Sequence, residues 1–245
     1  MRLENRVAIV TGAGRNIGEA VAHRFADEGA RVAVVDAHEG RGRAVADAIN
    51  EDHPAAAMPM VCDVSSSKEL QRMVADVAAR WGGVDILVNN AAITDHKNVL
   101  DLEEDEWDHV VDVTLKSVFL CTKFAAKQMI QQGRGGRIVN IASASGHHGR
   151  ADATAYTAAK GGVLNLSRSL AIQLAPHNIR VNSVTPSSIG SPVGQDAIPT
   201  GGRIRTLVGR QGMPPDIAAM VAFLVSDDGE FLTAGDYVVD GGSHA

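Results

Sequence analysis

Residues Arg6–Gly18 read RVAIVTGAGRNIG, and this stretch decides the fold of the chain around it. Its first part, Arg6–Thr11, is short, apolar and rich in β-branched side chains, which is typical of a strand buried on both faces of a parallel sheet. Glycines follow this strand, and a helical pattern then runs to about Glu28. A strand, a glycine-rich turn and a helix in this order predict the beginning of an α/β fold.

The same alternation of strand and helix continues to the end of the chain. Further strands are predicted at 31–36, 57–62, 84–88, 137–141, 179–184 and 237–239, and further helices at 40–50, 68–81, 104–131, 155–174 and 215–226. Strict alternation with short connections predicts one doubly wound, Rossmann-type parallel sheet of about seven strands, with helices on both faces. We expect a single domain over 1–245, with a substrate loop near 185–205, where the longest irregular segment follows a strand.

Composition excludes several classes of protein. The net charge is −6, and no block of basic residues is visible, which argues against nucleic acid or membrane partners. The chain has neither a signal-like segment nor an apolar run of about 18 residues, so we expect a soluble cytoplasmic protein. Cys62 and Cys121 are far apart and form no ligand motif, which predicts buried thiols in a reducing compartment. No metal site is expected, because no defined ligand spacing is present.

The turn after the first strand contains Gly12, Gly14 and Gly18. Glycines at such a turn allow the backbone to approach a pyrophosphate, which then lies at the positive end of the following helix. The spacing is G-x-G-x-x-x-G rather than G-x-G-x-x-G. The glycines therefore indicate a nucleotide site mainly because a strand precedes them and a helix follows. The alternative is a turn that needs positive φ angles without any ligand.

Asp36 at the end of the second strand bears on the choice of nucleotide. A carboxylate here can accept hydrogen bonds from both hydroxyls of an adenine ribose and would repel a 2′-phosphate, which favours NAD(H). The same residue could instead cap the next helix. Arg15 favours the opposite choice, because a cation in the glycine loop could bind a 2′-phosphate. We give Asp36 more weight, and we expect Asp63 to accept from the adenine amino group.

The stretch Ala153–Gly161, ATAYTAAKG, places Tyr156 four residues before Lys160 in a helical run. This spacing puts both side chains on one face, one turn apart. An ammonium beside a phenol stabilises the phenolate and lowers its pKa from about 10, which yields a proton donor and acceptor that works near neutral pH. Taken alone, the pair would also fit an ordinary helix surface.

Together these residues resemble the short-chain dehydrogenase/reductase family, and the resemblance covers essentially the whole chain. The matching segments are TGAGRNIG at 11–18, Asp63-Val64, NNAA at 89–92, IVNIAS at 138–143, Tyr156 with Lys160, Pro186, and VDGG at 239–242.

The resemblance implies hydride transfer between a substrate carbon and nicotinamide C4, with Ser143, Tyr156 and Lys160 as the catalytic residues. Tyr156 would exchange a proton with the substrate oxygen. Lys160 would lower the pKa of Tyr156 and bind the nicotinamide ribose, and Ser143 would orient the substrate oxygen. Ser145 is the alternative to Ser143, because alternate residues of an extended strand share a face.

The resemblance also assigns the cofactor site. The residues implied are Gly12, Arg15, Asn16, Ile17, Gly18, Asp36, Asp63, Val64, Asn89, Asn90, Ala91, Tyr156, Lys160, Pro186 and Ile189. Asn89 and Asn90 would also position the central helix, and Ile189 would place a backbone group near the carboxamide. By similarity to the family, the helices around 107–131 and 155–174 would pack against further subunits in a homotetramer or homodimer.

Four positions depart from the family pattern. Asn16, Ala92 and Ser187 stand where glycine is usual. Asparagine tolerates a left-handed backbone better than most residues, although its side chain would crowd or bond the cofactor. Thr114 stands where the family has an asparagine that helps to connect Lys160 to solvent, so this change puts the turnover rate in doubt.

Two loops that should face the substrate carry histidines. His147 and His148 follow Ser143, and His96 follows Asp95 after the fourth strand. These histidines either contact a polar substrate or form a pH-sensitive rim, or they are solvated loop residues without a role.

The sequence leaves three functions open. The first is an NAD(H)-dependent dehydrogenase or reductase acting on a small, partly polar secondary alcohol or ketone. The second is an NADPH-dependent 3-ketoacyl reductase, which Arg15 would suit. The third is an NAD(H)-binding subunit or sensor with little turnover, which the changes at Asn16, Ser187 and Thr114 would suit.

Overall fold

The computed structural model describes residues 1–187, 189–190 and 206–245. Within these residues, seven strands form one parallel sheet in the order β3-β2-β1-β4-β5-β6-β7. The strands are β1 (Val7–Thr11), β2 (Arg31–Asp36), β3 (Ala57–Val61), β4 (Ile86–Asn89), β5 (Gly136–Ile141), β6 (Ile179–Pro186) and β7 (Asp236–Val239). The predicted doubly wound sheet is therefore confirmed.

Seven α-helices accompany these strands in the described part of the chain. They are α1 (Asn16–Asp27), α2 (Glu39–Asp52), α3 (Ser67–Trp81), α4 (Glu104–Val111), α5 (Ser117–Gln132), α6 (Thr154–Leu174) and α7 (Pro214–Val225). The predicted boundaries agree with these bounds to within about two residues, with one exception. The helix predicted at 104–131 is wrong as a single α-helix, because a π-helical segment, Asp112–Lys116, separates α4 from α5.

Every residue of β1 is buried, and its side chains alternate between two cores. Ala8 and Val10 pack into the cluster that includes α1, α2 and α7, whereas Val7 and Ile9 pack into the cluster that includes α3, α5 and α6. Each large apolar side chain buried in this way contributes roughly 1.5–3 kcal/mol. This two-sided burial is the reason for the continuous apolar run in the sequence.

The order of the strands creates a crevice at the carboxyl edge of the sheet. From β1 the chain proceeds outward to β2 and β3, and it then returns to place β4 on the other side of β1. The loops that follow β1 and β4 therefore lead away from each other, which opens the space where ligands bind in such sheets.

None of the helices in the described residues is both long and apolar enough to cross a bilayer. Both cysteines are free and buried. Of the substrate loop predicted near 185–205, residue 188 and residues 191–205 lie outside the described part of the chain.

Candidate active site

Two adjoining cavities lie at the carboxyl edge of the sheet. The first, of about 490 Å³, is lined by the glycine turn and by the residues that follow β2, β3 and β4. The second, of about 460 Å³, is lined by the loop after β5, by the first turns of α6 and by the end of β6. Ile17, Asn90 and Ala92 line both, so the cavities form one continuous cleft.

The glycine turn is shaped by close backbone approach. Gly12 has a φ of +62°, and a Cβ placed there would lie 2.9 Å from the Cα of Ala91. A Cβ on Gly14 would lie 2.7 Å from Oδ2 of Asp36. Any larger residue would therefore push the turn away from β2 and β4, which explains why the sequence has glycine at both positions.

Asn16 has a φ of +57°, which is the left-handed region. Asparagine enters this region more readily than most residues, so it takes the place of glycine without the strain that a β-branched residue would cause. Its side chain lines the first cavity, as does that of Arg15. The departure from the family pattern at Asn16 is thus compatible with the backbone of the turn.

Asp36 lies in the first cavity and is held from two sides. Its Oδ2 accepts a hydrogen bond from the Gly14 amide at 3.0 Å, and its Oδ1 accepts one from the His38 amide at 2.9 Å. These bonds fix the carboxylate between β2 and the glycine turn. Arg41 from α2 lines the same cavity, although no sequence motif predicted it as a site residue. The only indication in the sequence was that Arg41 lies five residues after Asp36.

The other end of the first cavity is formed by residues after β3 and β4. Asp63 and Val64 line it, and Oδ1 of Asp63 accepts hydrogen bonds from the amide and hydroxyl of Ser65 at 2.9 and 2.8 Å. Ala91 also lines this cavity. Gly18 lies buried in the first turn of α1, next to the wall of the cavity rather than in it.

Asn89 and Asn90 have different roles although they are neighbours. The Asn90 side chain donates to the carbonyls of Thr11 and Gly12, each at 3.0 Å, so it ties the end of β4 to the glycine turn. The Asn89 side chain points into the interior and donates to Asn140 at 2.8 Å and to Thr122 of α5 at 3.2 Å. Asn89 therefore lies outside both cavities and supports the central helix instead.

Tyr156 and Lys160 both line the second cavity and are only 4% and 3% exposed. The Lys160 Nζ lies 5.7 Å from the centroid of the Tyr156 ring and donates a hydrogen bond to the carbonyl of Ile141 at 2.6 Å. Helical spacing has thus brought the two side chains to one face of α6. Pro186 and Ile189 line the same cavity.

Burial governs the ionisation of this pair. It raises the pKa of the Tyr156 phenol, and a hydrogen bond with Ser143 and the positive charge of Arg150 offset only part of that effect. Burial also lowers the pKa of Lys160 to about 7. The expectation that Lys160 would bring the pKa of Tyr156 below 10 is therefore not met in this structure, because desolvation of the phenol is the largest effect on its pKa.

Ser143 lies directly after β5 and lines the second cavity. Its extended backbone ends there, and a 3₁₀ turn, Ala144–Gly146, follows. The amide of Ser145 donates to the hydroxyl of Ser143 at 3.2 Å. Ser145 also lines the cavity, but the expectation that it lies on the same extended strand as Ser143 is wrong, because this turn redirects the chain toward α6.

Asp95 binds the first turn of α6. The sequence patterns did not predict this contact. Its two carboxylate oxygens accept from the amides of Ala155 and Tyr156, each at 3.1 Å. A carboxylate at this end also complements the helix dipole. Asp95 and Tyr156 are far apart in sequence, so only the fold could reveal the contact.

The predicted loop histidines have separate positions. His96 lines the second cavity. His147 forms a 2.8 Å contact with Asp236 at the beginning of β7, and His148 stacks on His244 near the end of the chain. In the described residues, no group of three or more His, Cys, Asp or Glu side chains could hold a metal ion.

The cleft fits a dinucleotide. The turn before α1 contains glycines, which have no Cβ atoms to fill the space beside it. Asn16 and Ile17, at the N-terminus of α1, line the first cavity, so this helix end lies where a phosphate could bind. Asp36 lines the first cavity of this continuous cleft, and Tyr156 and Lys160 line the second.

Comparison with known proteins agrees with this geometry. A family model described as enoyl-(acyl carrier protein) reductase matches residues 12–244. The chain is 37% identical over 247 residues to a 3-oxoacyl-[acyl-carrier-protein] reductase of Thermotoga maritima, covering 99% of each chain. It is 36% identical over 248 residues to meso-2,3-butanediol dehydrogenase of Serratia marcescens, covering 100% of this chain and 97% of the relative.

A crystal structure of a short-chain type dehydrogenase/reductase from Mycobacterium marinum superposes with a TM-score of 0.89 at 33% identity. The match covers 99% of this chain and 96% of that chain. The chain belongs to the short-chain dehydrogenase/reductase family of oxidoreductases.

Proposed function

We propose that this protein interconverts a small secondary alcohol and its ketone, using NAD(H), with Tyr156 as the acid and base. The observation that carries the proposal is the convergence of Ser143, Tyr156 and Lys160 on a cavity continuous with the nucleotide cleft. Tyr156 and Lys160 are almost fully buried there, an environment in which a proton donor is shielded from water.

Each residue has a distinct task in this scheme. The bound nicotinamide would supply or accept the hydride. The neutral phenol of Tyr156 donates its proton to the substrate oxygen in the direction of reduction and takes it back in oxidation. The hydroxyl of Ser143, which lines the same cavity as Tyr156, would hold the same oxygen in place.

Lys160 would restore the proton that Tyr156 loses. Its pKa of about 7 means that it gains and releases a proton readily near neutral pH. Its hydrogen bond to the carbonyl of Ile141 keeps the amine at the end of β5, beside Ser143. In the cofactor complex we expect the same amine to bind the nicotinamide ribose.

The experiment that tests this function is a panel of secondary alcohols and ketones, followed by NADH absorbance. Tyr156→Phe should lower kcat by at least about a thousandfold, because the proton donor is lost. NADH binding, measured by fluorescence, should change little. Full activity in this variant would remove Tyr156 from the mechanism. Tight NADH binding without turnover by the wild type would favour the low-turnover sensor.

Asp36 supports the choice of NAD(H). Its carboxylate is fixed by two backbone amides in the nucleotide cavity, so it cannot turn away from a 2′-phosphate without losing both bonds. We expect NADH to bind at least about tenfold more tightly than NADPH, which corresponds to about 1.4 kcal/mol. Asp36→Asn should reduce this preference, since the amide keeps an acceptor but loses the charge. Equal binding of both nucleotides by the wild type would refute the argument.

A second candidate is an NADPH-dependent 3-ketoacyl reductase. Arg15 and Arg41 both line the cavity that contains Asp36, and either cation could bind a 2′-phosphate. The Thermotoga maritima relative is named as a 3-oxoacyl reductase. The nucleotide comparison above separates this candidate from the first.

We also propose that the protein assembles as a homotetramer or homodimer through α5 and α6. The support is apolar exposure on these neighbouring helices: Phe119, Ile130 and Ile172 are 45%, 40% and 74% exposed.

A further inference from the structure

We propose that Arg150 makes the protein selective for substrates that carry a carboxylate, so that the preferred substrate is a small hydroxy acid or its oxo acid. This inference rests on the alcohol and ketone chemistry proposed above. It concerns the second cavity, where Arg150 lies six residues before Tyr156 in the loop that leads into α6.

The position of Arg150 suits contact with a substrate. It lines the cavity together with Ser143, Tyr156 and Lys160. Its positive charge is close enough to the phenol to lower the pKa of Tyr156 in part. A guanidinium in this place can therefore reach an anionic group on a molecule whose oxygen lies against Tyr156.

Arg150 forms only a weak ion pair, with Asp152. Nε and Nη2 of Arg150 both donate to one oxygen of Asp152, Oδ1, at 3.2 and 2.9 Å. The two side chains are 38% and 60% exposed. Ion pairs with this exposure contribute little, because water solvates both charges. Asp152 therefore orients the guanidinium without preventing it from binding another anion.

A substrate carboxylate would match the guanidinium better than Asp152 does. A carboxylate that approaches with both oxygens can accept two parallel N–H bonds, which is the geometry that arginine favours. Asp152 is the only acidic side chain among the described residues that line the cavity, and Arg150 and Lys160 are both basic.

Size and polarity favour a small molecule over a long acyl chain. The cavity has a volume of about 460 Å³, and part of it must hold the nicotinamide end of the cofactor. Polar residues besides the catalytic ones line it, namely His96, Ser145 and Asp152. A short polar acid can form hydrogen bonds with such groups, whereas an alkyl chain would leave them unpaired.

The test compares 2-oxo, 3-oxo and 4-oxo acids with their methyl esters, using NADH. The quantity measured is the ratio of kcat/KM for each acid to kcat/KM for its ester. Arg150 also affects the pKa of Tyr156, but that effect acts on both substrates and cancels in the ratio. We expect the ratio to exceed one for at least one chain length and to fall at least about tenfold in Arg150→Gln.

Three further variants sharpen the comparison. Arg150→Lys keeps the positive charge but loses the two parallel N–H donors of the guanidinium. Its acid-to-ester ratio of kcat/KM should therefore lie between those of the wild type and Arg150→Gln. Asp152→Asn should raise the ratio, because it removes the competing carboxylate. Arg72→Gln is the matched control: Arg72 lies on α3 with its side chain 83% exposed, and the ratio should not change.

The outcomes separate this inference from the proposed function. Turnover of ketones with a ratio that Arg150→Gln leaves unchanged would overturn the inference and leave the alcohol and ketone chemistry intact. Should no ketone be reduced, binding of the oxo acids to the NADH-saturated protein is measured by calorimetry. Arg150→Gln should then weaken binding at least tenfold relative to wild type. Failure of the wild type to bind any oxo acid more tightly than its ester would also overturn the inference.

Discussion

Lys160 is the residue at which burial and charge oppose each other most strongly. Its side chain is almost fully enclosed and donates to a single backbone carbonyl, that of Ile141. Desolvation disfavours the ammonium, and the pKa falls from 10.5 to about 7. A lysine on the protein surface would remain charged at neutral pH.

This shift predicts a specific dependence of stability on pH. Between pH 7 and 10.5 the unfolded chain binds more protons at Lys160 than the folded chain, so the free energy of unfolding rises with pH in this window. The rise is at most about 5 kcal/mol, from about 1.4 kcal/mol per pKa unit. Lys160→Met removes this contribution. In urea unfolding from pH 7 to 10, the free energy of unfolding of the wild type should increase with pH relative to that of Lys160→Met.

Subtraction of the variant serves as the control in that experiment. Titrating groups that lie far from Lys160 contribute to both proteins and cancel in the difference. Parallel curves for wild type and Lys160→Met would mean that Lys160 keeps an ordinary pKa in the fold. The wild-type measurement should be made without nucleotide, because a bound anion near the amine would alter the shift.

Some residues of the site could be predicted from the sequence, and others could not. The spacing of Tyr156 and Lys160 placed them on one face of a helix, and the tolerance of asparagine anticipated the positive φ of Asn16. Asp95 could not be found in this way, because its contact with the amide of Tyr156 spans 61 positions of the chain. Arg41 belongs to no motif, and its place in the cleft depends on how α2 follows β2.

At the scale of elements, a double hydrogen bond connects the π-helical segment between α4 and α5 to the loop after β4. The Thr114 hydroxyl donates to the carbonyl of Ile93 at 3.0 Å and accepts from the amide of Ile93 at 3.1 Å. Thr114 is fully buried. Such π-helical segments often occur beside functional sites. Periodicity indicated only a long helix, because the spacing of apolar residues does not distinguish a single π-helical turn from the α-helical turns around it.

Loss of this double hydrogen bond should be measurable. Thr114→Val keeps the shape of the side chain but leaves the amide and carbonyl of Ile93 unpaired, which should lower the free energy of unfolding by about 1–3 kcal/mol. Thr157→Val is the matched control, because the Thr157 hydroxyl is buried and has no partner within the described residues. Thermal and urea unfolding of both variants would test this. Equal stability of the two would show that the Ile93 bonds contribute nothing.

The same variants report on the link between this segment and the active site. Ile93 lines the nucleotide cavity and follows Ala92, which lines both cavities. We therefore expect Thr114→Val to weaken NADH binding as well, whereas Thr157→Val should affect stability alone. NADH titration by fluorescence separates the two effects.

At the scale of the whole molecule, the cleft depends on the order of the strands. Residues from Gly12 to Ile189 meet there because the strand order reverses between β1 and β4. Alternating strands and helices allow few topologies, since parallel crossovers are right-handed, and this is why the fold could be predicted from the pattern. The positions of Asp36, Asn90 and Tyr156 then followed from the ends of their elements. Exposed faces carry no such constraint, so from the sequence the assembly could be inferred only by similarity to the family.

Assembly is therefore the prediction that most needs an experiment at this scale. Ile172 on α6 is 74% exposed, and Phe119 and Ile130 on the neighbouring α5 are also exposed. Ile172→Glu should place a charge within the proposed interface and shift the protein to a smaller species in sedimentation velocity, because burial of an unpaired carboxylate is unfavourable. Val61→Glu is the control: Val61 is 60% exposed on β3, at an edge of the sheet. A wild-type monomer at micromolar concentration, or an unchanged Ile172→Glu species, would contradict an interface through α6.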